Sequence, residues 1–253
     1  MAHKTELGNK SMVITGASDG IGKSLAWEMA KRGYNLGLTA RRRPLLEQLK
    51  AELETRFPAI QVAVEVMDVT EYEHVEEVMN DLHAALGKID VLVANAGIAR
   101  SGRVDKMPVM DQIGVINTNL NGAIATVSSG LKLFRQQGYG HLVATSSVAG
   151  YRGLPRNAAY SASKAGLSTF MESVRLEVRK DNIDVSVINP GFIDTALNRA
   201  LPNRPFVISV EKGAALFADL IERKVAVSTV PRLPWNVLAP LIKILPNSVI
   251  AKM

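Results

Sequence analysis

Met12-Val13-Ile14-Thr15-Gly16-Ala17-Ser18-Asp19-Gly20-Ile21-Gly22 decides how the rest of the chain is read. Its first four residues are apolar or β-branched and read as a short buried strand over 12–15. Glycines at 16, 20 and 22 then permit a tight turn that runs directly into a helix predicted over 21–32. Such a turn lets backbone N–H groups and a helix N-terminus approach a pyrophosphate. A glycine-rich loop alone is a weak signal. This one follows a strand, opens a helix and begins a βαβ unit, which favours a dinucleotide.

Working outward, short apolar β-branched runs alternate with longer amphipathic stretches, the pattern of repeated βα units. Strands are predicted over 12–15, 35–40, 61–67, 91–94, 141–146, 184–189 and 225–230, and helices over 21–32, 44–56, 72–86, 112–136, 158–179 and 211–223. The expected fold is α/β: a Rossmann-type doubly wound parallel sheet of about seven strands with helices on both faces. In such a sheet ligands bind beyond the carboxyl ends of the strands, so chemistry is sought just after each one.

The length of 253 residues and 47% hydrophobic content suit one domain, with no linker, repeat or low-complexity run. No apolar segment reaches the roughly 20 residues of a membrane span. Residues 1–10 are polar and do not read as a signal peptide. There is no cysteine, which excludes disulfides and thiolate metal sites, and a cytoplasmic location fits. The net charge of +6 could signal nucleic acid, anionic lipid or a phosphorylated small molecule. Nucleic acid is disfavoured, because the basic residues are scattered and aromatics make up only 5% of the chain. No metal site is expected.

One basic cluster stands apart. Arg41-Arg42-Arg43 follows the second strand, where an NAD-binding protein more often presents an acid to the ribose 2′-hydroxyl. Arginine there suits a 2′-phosphate, so NADP(H) is preferred over NAD(H). The alternative is an exposed basic helix start, although cations are mildly unfavourable at that end of a helix. Asp19 is a counter-signal, since a carboxylate close to a 2′-phosphate repels it. Farther on, Tyr160 and Lys164 are spaced to lie on one helix face. A phenol has a pKa of about 10, and a nearby cation favours its ionised form. The pair is a plausible acid/base device, though the same spacing is common on solvated helices.

Taken in order, the loop from Thr15 to Gly22, Asp68-Val69, Asn95-Ala96-Gly97, Thr118-Asn119-Leu120, Ser146-Ser147, Tyr160-x-x-x-Lys164 and Pro190-Gly191-x-x-x-Thr195 resemble the short-chain dehydrogenase/reductase family in its short single-domain form. The likeness covers nearly the whole chain. It implies that Tyr160 is the general acid in ketone reduction and general base in alcohol oxidation, with Lys164 lowering its pKa and binding the nicotinamide ribose. It implies that Ser147 donates to the substrate oxygen and that Asn119 holds a water linking the lysine to solvent; the alternatives are an ordinary strand-end serine and a buried amide satisfying backbone groups. Cofactor contacts are implied for Gly16, Ser18, Asp19, Gly20, Ile21, Gly22, Arg41, Arg42, Asp68, Val69, Asn95, Ala96, Gly97, Tyr160, Lys164, Pro190, Gly191, Ile193 and Thr195. Ala94 is a departure, standing where the family often has a second asparagine.

The single domain, 1–253, is expected to carry a substrate lid over about 194–210, broken by Pro202 and Pro205, and an apolar tail over about 231–253. The lid offers Leu197, Leu201 and Phe206, with Arg199 and Arg204 as its few partners for an acid, so the expected substrate is an apolar ketone or secondary alcohol. The tail, with Pro231, Leu233, Trp235, Leu238, Ile242, Ile244, Ile250, Lys243 and Lys252, resembles the ending of an uncharacterised bacterial branch of the family. It must pack on its own domain or a dimer partner, on a bilayer surface, or at the substrate entrance. Small residues Ala158, Ala162, Ala165 and Gly166 favour the family's homodimer, or homotetramer, built on that helix and the 112–136 helix. The rival reading is a non-catalytic NADP-binding scaffold or redox sensor, which gives Asn119, Ser147, Tyr160 and Lys164 no common reason to be present.

Overall fold

The computed structural model describes residues 10–199, 201 and 203–251. Pro202 of the lid, Lys252 of the tail and most of the polar N-terminal segment lie outside the described residues.

Seven strands, β1 (Ser11–Thr15), β2 (Asn35–Ala40), β3 (Val62–Val66), β4 (Val91–Ala94), β5 (Gly140–Thr145), β6 (Ile183–Pro190) and β7 (Val227–Val230), form one sheet in the order β3-β2-β1-β4-β5-β6-β7. Every pairing is parallel. All five residues of β1 are buried, as a strand covered on both faces requires.

Helices α1 (Gly20–Lys31), α2 (Arg43–Arg56) and α7 (Val210–Glu222) cover one face, where Leu25, Met29, Leu46, Leu49 and Phe217 meet Ile14 and Leu38. The opposite face carries α3 (Tyr72–Leu86), α5 (Gly122–Gln137) and α6 (Ala158–Glu177), with α4 (Val109–Ile116) packed against α6. Helix α3 shows why: Val75, Val78, Met79, Leu82 and Leu86 recur at helical spacing and are all buried. Each such side chain contributes roughly 1.5–3 kcal/mol on burial. Left-handed Gly87 ends it at φ 75°.

The helix predicted over 112–136 differs from the observed one. It starts at Val109 and is broken by a wide π turn at Asn117–Asn121. The cause is tertiary: the Asn119 amide accepts from Ile98 N at 2.8 Å and donates to Ile98 O at 2.9 Å, and the π turn aims it there. Two further helices, α8 (Trp235–Ile242) and α9 (Asn247–Ile250), organise the tail.

Candidate active site

The strand order reverses between β1 and β4, so a crevice opens beyond their carboxyl ends. Thr15 stitches the two strands together, its hydroxyl accepting from the N–H groups of Asn95 and Ala96 at 3.0 and 3.1 Å. The Asn95 side chain is also engaged, donating to Thr15 O at 3.0 Å. Gly16 stands at φ 69°, and a Cβ there would lie 2.8 Å from Ala96 Cα. One at Gly22 would collide with Gly16 O. The turn therefore has room for backbone alone. Asp19 caps α1, accepting from Gly20 N at 2.7 Å.

A cavity of about 480 Å3 occupies this crevice. Its lining includes Gly16, Ser18, Asp19, Gly20, Ile21, Arg41, Arg42, Asn95, Gly97, Ser147, Tyr160, Lys164, Pro190, Gly191, Ile193 and Thr195. Gly22, Asp68, Val69, Ala96 and Asn119 do not border it. Gly22 and Ala96 stand behind the first turn, and Val69 is buried where Gly122 packs against it. Asp68 borders an adjoining polar cleft that shares Arg41 with the cavity. Ile98, Thr145 and Asn198 also line the cavity and were not singled out from the sequence, and Ser146, read there only as part of the Ser146-Ser147 motif, lines it too. The position of Thr145 at the end of β5, beside Ser146-Ser147, is the signal that could have found it.

On α6, Lys164 is buried and its Nζ donates to Thr145 O at 2.8 Å. Burial pushes its ammonium down to about 8. Burial likewise pushes the Tyr160 phenol above its ordinary value, while the neighbouring Ser147 hydroxyl pulls it back. The expected depression of Tyr160 by Lys164 is therefore not what this geometry gives: desolvation outweighs the Ser147 hydrogen bond, and the Lys164 Nζ lies 5.8 Å from the ring centroid. Ser147 is fixed by its turn, its Oγ accepting from Ala149 N at 3.1 Å. Asn119 lies behind Gly97, with both amide hydrogens engaged by Ile98 O and Ser163 Oγ. Its Oδ1 and the Lys164 Nζ would be 3.2 and 3.6 Å from a Cβ at Gly97.

At the other end of the cavity each acid is matched by an arginine. Arg42 donates to Ser18 Oγ at 2.9 Å and lies 3.9 Å from the Asp19 carboxylate. Arg41 lies 3.7 Å from Asp68. Burial raises the Asp68 carboxyl, but hydrogen bonds from Thr70 and the nearby Arg41 outweigh it and hold the group below its usual range. In the lid, Arg204 and Arg199 both turn to Asp194, at 2.5 and 3.5 Å. No group of three or more acids or histidines with the makings of a metal site occurs among the described residues.

The sequence profile of the family described as short chain dehydrogenase matches residues 10–205. An uncharacterized oxidoreductase of Mycobacterium tuberculosis is 37% identical over 243 residues, covering 96% of each chain. One from Myxococcus xanthus is 37% identical over 246 residues, covering 96% of this chain and 95% of the other. Among solved structures, an alcohol dehydrogenase from the archaeon Thermococcus sibiricus, complexed with 5-hydroxy-NADP, matches with a TM-score of 0.79 and 28% identity over 87% of this chain and 94% of its own. A profile match over most of the chain, near end-to-end relatives and a cavity at the sheet's switch point agree, and the chain belongs to the short-chain dehydrogenase/reductase family of nicotinamide-dependent oxidoreductases acting on CH–OH groups.

Proposed function

We propose that the protein moves hydride between NADP(H) and an apolar secondary alcohol or ketone, with Tyr160 as the proton donor and acceptor. The observation that carries this reading is the convergence of Ser147, Tyr160 and Lys164 on the cavity that begins at the Gly16 turn. The residues fit a dinucleotide: the first turn leaves a cradle that any Cβ would fill, and α1 presents its N-terminus there. Gly16, Ser18, Asp19, Gly20, Ile21 and Gly22 would hold the pyrophosphate end, Asp68, Val69, Asn95, Ala96 and Gly97 the adenosine side, and Pro190, Gly191, Ile193 and Thr195 the nicotinamide. When bound, the nicotinamide supplies or accepts the hydride.

The chain's own residues do the rest. The Ser147 hydroxyl donates to the substrate oxygen as negative charge develops on it. Tyr160 gives that oxygen its proton in reduction and removes it in oxidation. Its raised pKa keeps the phenol protonated at neutral pH, as an acid must be. Lys164, cationic below about pH 8, binds the ribose and stabilises the phenolate left behind. The second lone pair of Asn119 Oδ1, which among the described residues accepts from Ile98 N alone, is close to Lys164 across Gly97 and is where a relay water would be held.

NADP is preferred because Arg42 reaches over the first turn and offsets Asp19, while Arg41 stands beside it. The similar Thermococcus enzyme, solved in complex with an NADP derivative, supports the same choice. An apolar substrate is favoured because both lid arginines turn to Asp194, which offsets one of their two charges, and neither borders the cavity, whereas Leu197 does. We further propose a homodimer through α6, where Ala158 and Ala162 are exposed, and through α4, where Val109, Met110 and Ile113 are exposed. A light-scattering mass of one subunit would reject it.

Tyr160→Phe tests the chemistry. Turnover should fall about 10²- to 10⁴-fold in a variant that still binds NADPH, and full turnover would refute the role. The rival, a non-catalytic NADP-binding scaffold, predicts that no member of a panel of apolar ketones, quinones and acyl thioesters consumes NADPH. Running NADH alongside reads the cofactor preference. The outer face of the tail leaves Leu233, Val237, Leu241 and Ile244 exposed, and it is the surface a bilayer would meet. Liposome flotation of the intact chain against one ending near residue 230 decides; equal behaviour sinks the membrane contact.

A further inference from the structure

Both turns that meet at the reacting centre are held by the same C-terminal helix. The inner face of α8 places Trp235 and Ile242 in a cluster with Val148, Leu154 and Phe192 of the chain itself. At the first turn of α8, the Trp235 indole fills the space a Cβ on Gly191 would take, with Nε1 its nearest atom. The same ring stands 6.2 Å from Phe192 and meets Phe206 edge-on at 5.8 Å. Phe206 is held there at φ 57°, a conformation that costs a non-glycine residue about 1–3 kcal/mol unless its surroundings impose it. Trp235 Nε1 is buried with no hydrogen-bond partner among the described residues, so the ring stays in place by packing alone.

At the far end of α8 the contact is polar. Arg152 donates from Nη1 to the carbonyls of Ile242, Lys243 and Leu245 at 3.1, 2.9 and 2.6 Å, and from Nη2 to Asn247 Oδ1 at 2.6 Å. Ile242 ends α8 and Lys243 is its C-cap, so two of these are carbonyls that a helix C-terminus leaves without intrahelical partners, while Leu245 lies in the turn to α9; a cation there also complements the dipole of α8. Arg152 follows the short turn Val148–Gly150 that begins at Ser147. Gly150 in turn lies so close to α6 that its Cβ would be 2.9 Å from the Lys164 carbonyl carbon. One helix is thus fastened to the Gly191 turn by a ring and to the Ser147 turn by a guanidinium.

We propose that α8 is a brace across the active site, and that Arg152 and Trp235 are positioning residues that fix the Ser147 turn and the Pro190–Gly191 turn relative to each other. Neither touches the reacting atoms. The brace stands on these contacts; only its effect on cofactor affinity rests on the reading of the Gly191 turn as the nicotinamide cradle.

Hydrogen exchange on the full chain tests it, comparing wild type with Arg152→Ala and the milder Arg152→Lys. Arg152→Ala should raise exchange at least tenfold over 235–250, at 147–150 and at 190–193, leaving β1, β2 and α1 unchanged. Arg152→Lys, which keeps the charge but not the fork, should recover part of that protection. A tail that loosens while both turns keep their protection overturns the brace. So does a tail that never loosens, or a rise in exchange spread evenly over the sheet. A parallel fluorescence titration with NADPH should show about three- to tenfold weaker binding in Arg152→Ala. If both turns loosen and NADPH affinity is untouched, the brace stands and the cradle assignment falls.

Discussion

The two glycine turns that flank the site are tight for different reasons. At Thr15–Gly22 the nearest atoms that exclude a side chain are backbone, Ala96 Cα next to Gly16 and Gly16 O next to Gly22, with the Asn95 amide, itself tied to Thr15 O, behind them. At Pro190–Gly191 the excluding atoms belong to one side chain, that of Trp235, far along the chain in the tail. Backbone cannot yield without unmaking the sheet around it, whereas a ring can be replaced. The first turn is a property of the fold; the second is a property of a partner that evolution or an experimenter can change.

Gly22→Ala should have the largest effect, because the new methyl meets Gly16 O and the Asn95 amide, and neither can move away. We expect a loss of about 3 kcal/mol in chemical denaturation and no measurable NADPH binding, with no second-site change restoring either. Gly191→Ala should cost less, about 2 kcal/mol, because the clash is with a side chain. The double variant Gly191→Ala with Trp235→Ala should regain NADPH affinity relative to Gly191→Ala alone. Failure of that rescue would erase the distinction between the two turns.

The reach from sequence to structure follows the same division. The first turn was legible because its signature is local, a strand, glycines and a helix start, even though Asn95 and Ala96 close it from afar. The sheet was legible too, with each strand found within two residues of its predicted end, since buried parallel strands read as apolar runs. What was not legible depends on distant partners. The π turn at Asn119 exists because Ile98 waits opposite it, and the apolar pattern around it reads as one continuous helix. Helix α8 carries Pro240 within its span and follows two other prolines, so its sequence gives weak helix signals. The joint engagement of tail carbonyls by Arg152 has no sequence signature at all. Among the site residues, Thr145 acts through its carbonyl, which no side-chain motif reveals.

Between the two turns stands Lys164, and its titration offers a smaller test. Its pKa is lowered by burial to about 8, so it is cationic below that pH and neutral above it. For reduction, kcat/KM should therefore fall as pH rises through about 8, approaching tenfold per unit, and Lys164→Arg should remove that limb if it retains activity. A profile flat from pH 7 to about 9.5 would show that the lysine charge is not needed. The smallest effect belongs to the outer side of the brace. Ile244 is 78% exposed, and Ile244→Ser should change the stability to unfolding by less than about 0.5 kcal/mol. A larger loss would mean that the outer face is covered in solution.

Because α8 follows β7, the last strand of the sheet, the ribosome delivers the brace only after every strand has been made. A nascent chain cut short after β7 retains the whole sheet and every residue assigned to catalysis, yet lacks the segment that holds their two turns in register. If the brace acts as proposed, such a chain is expected to bind NADPH more weakly than the full one, and emergence of α8, rather than closure of the sheet, completes the site.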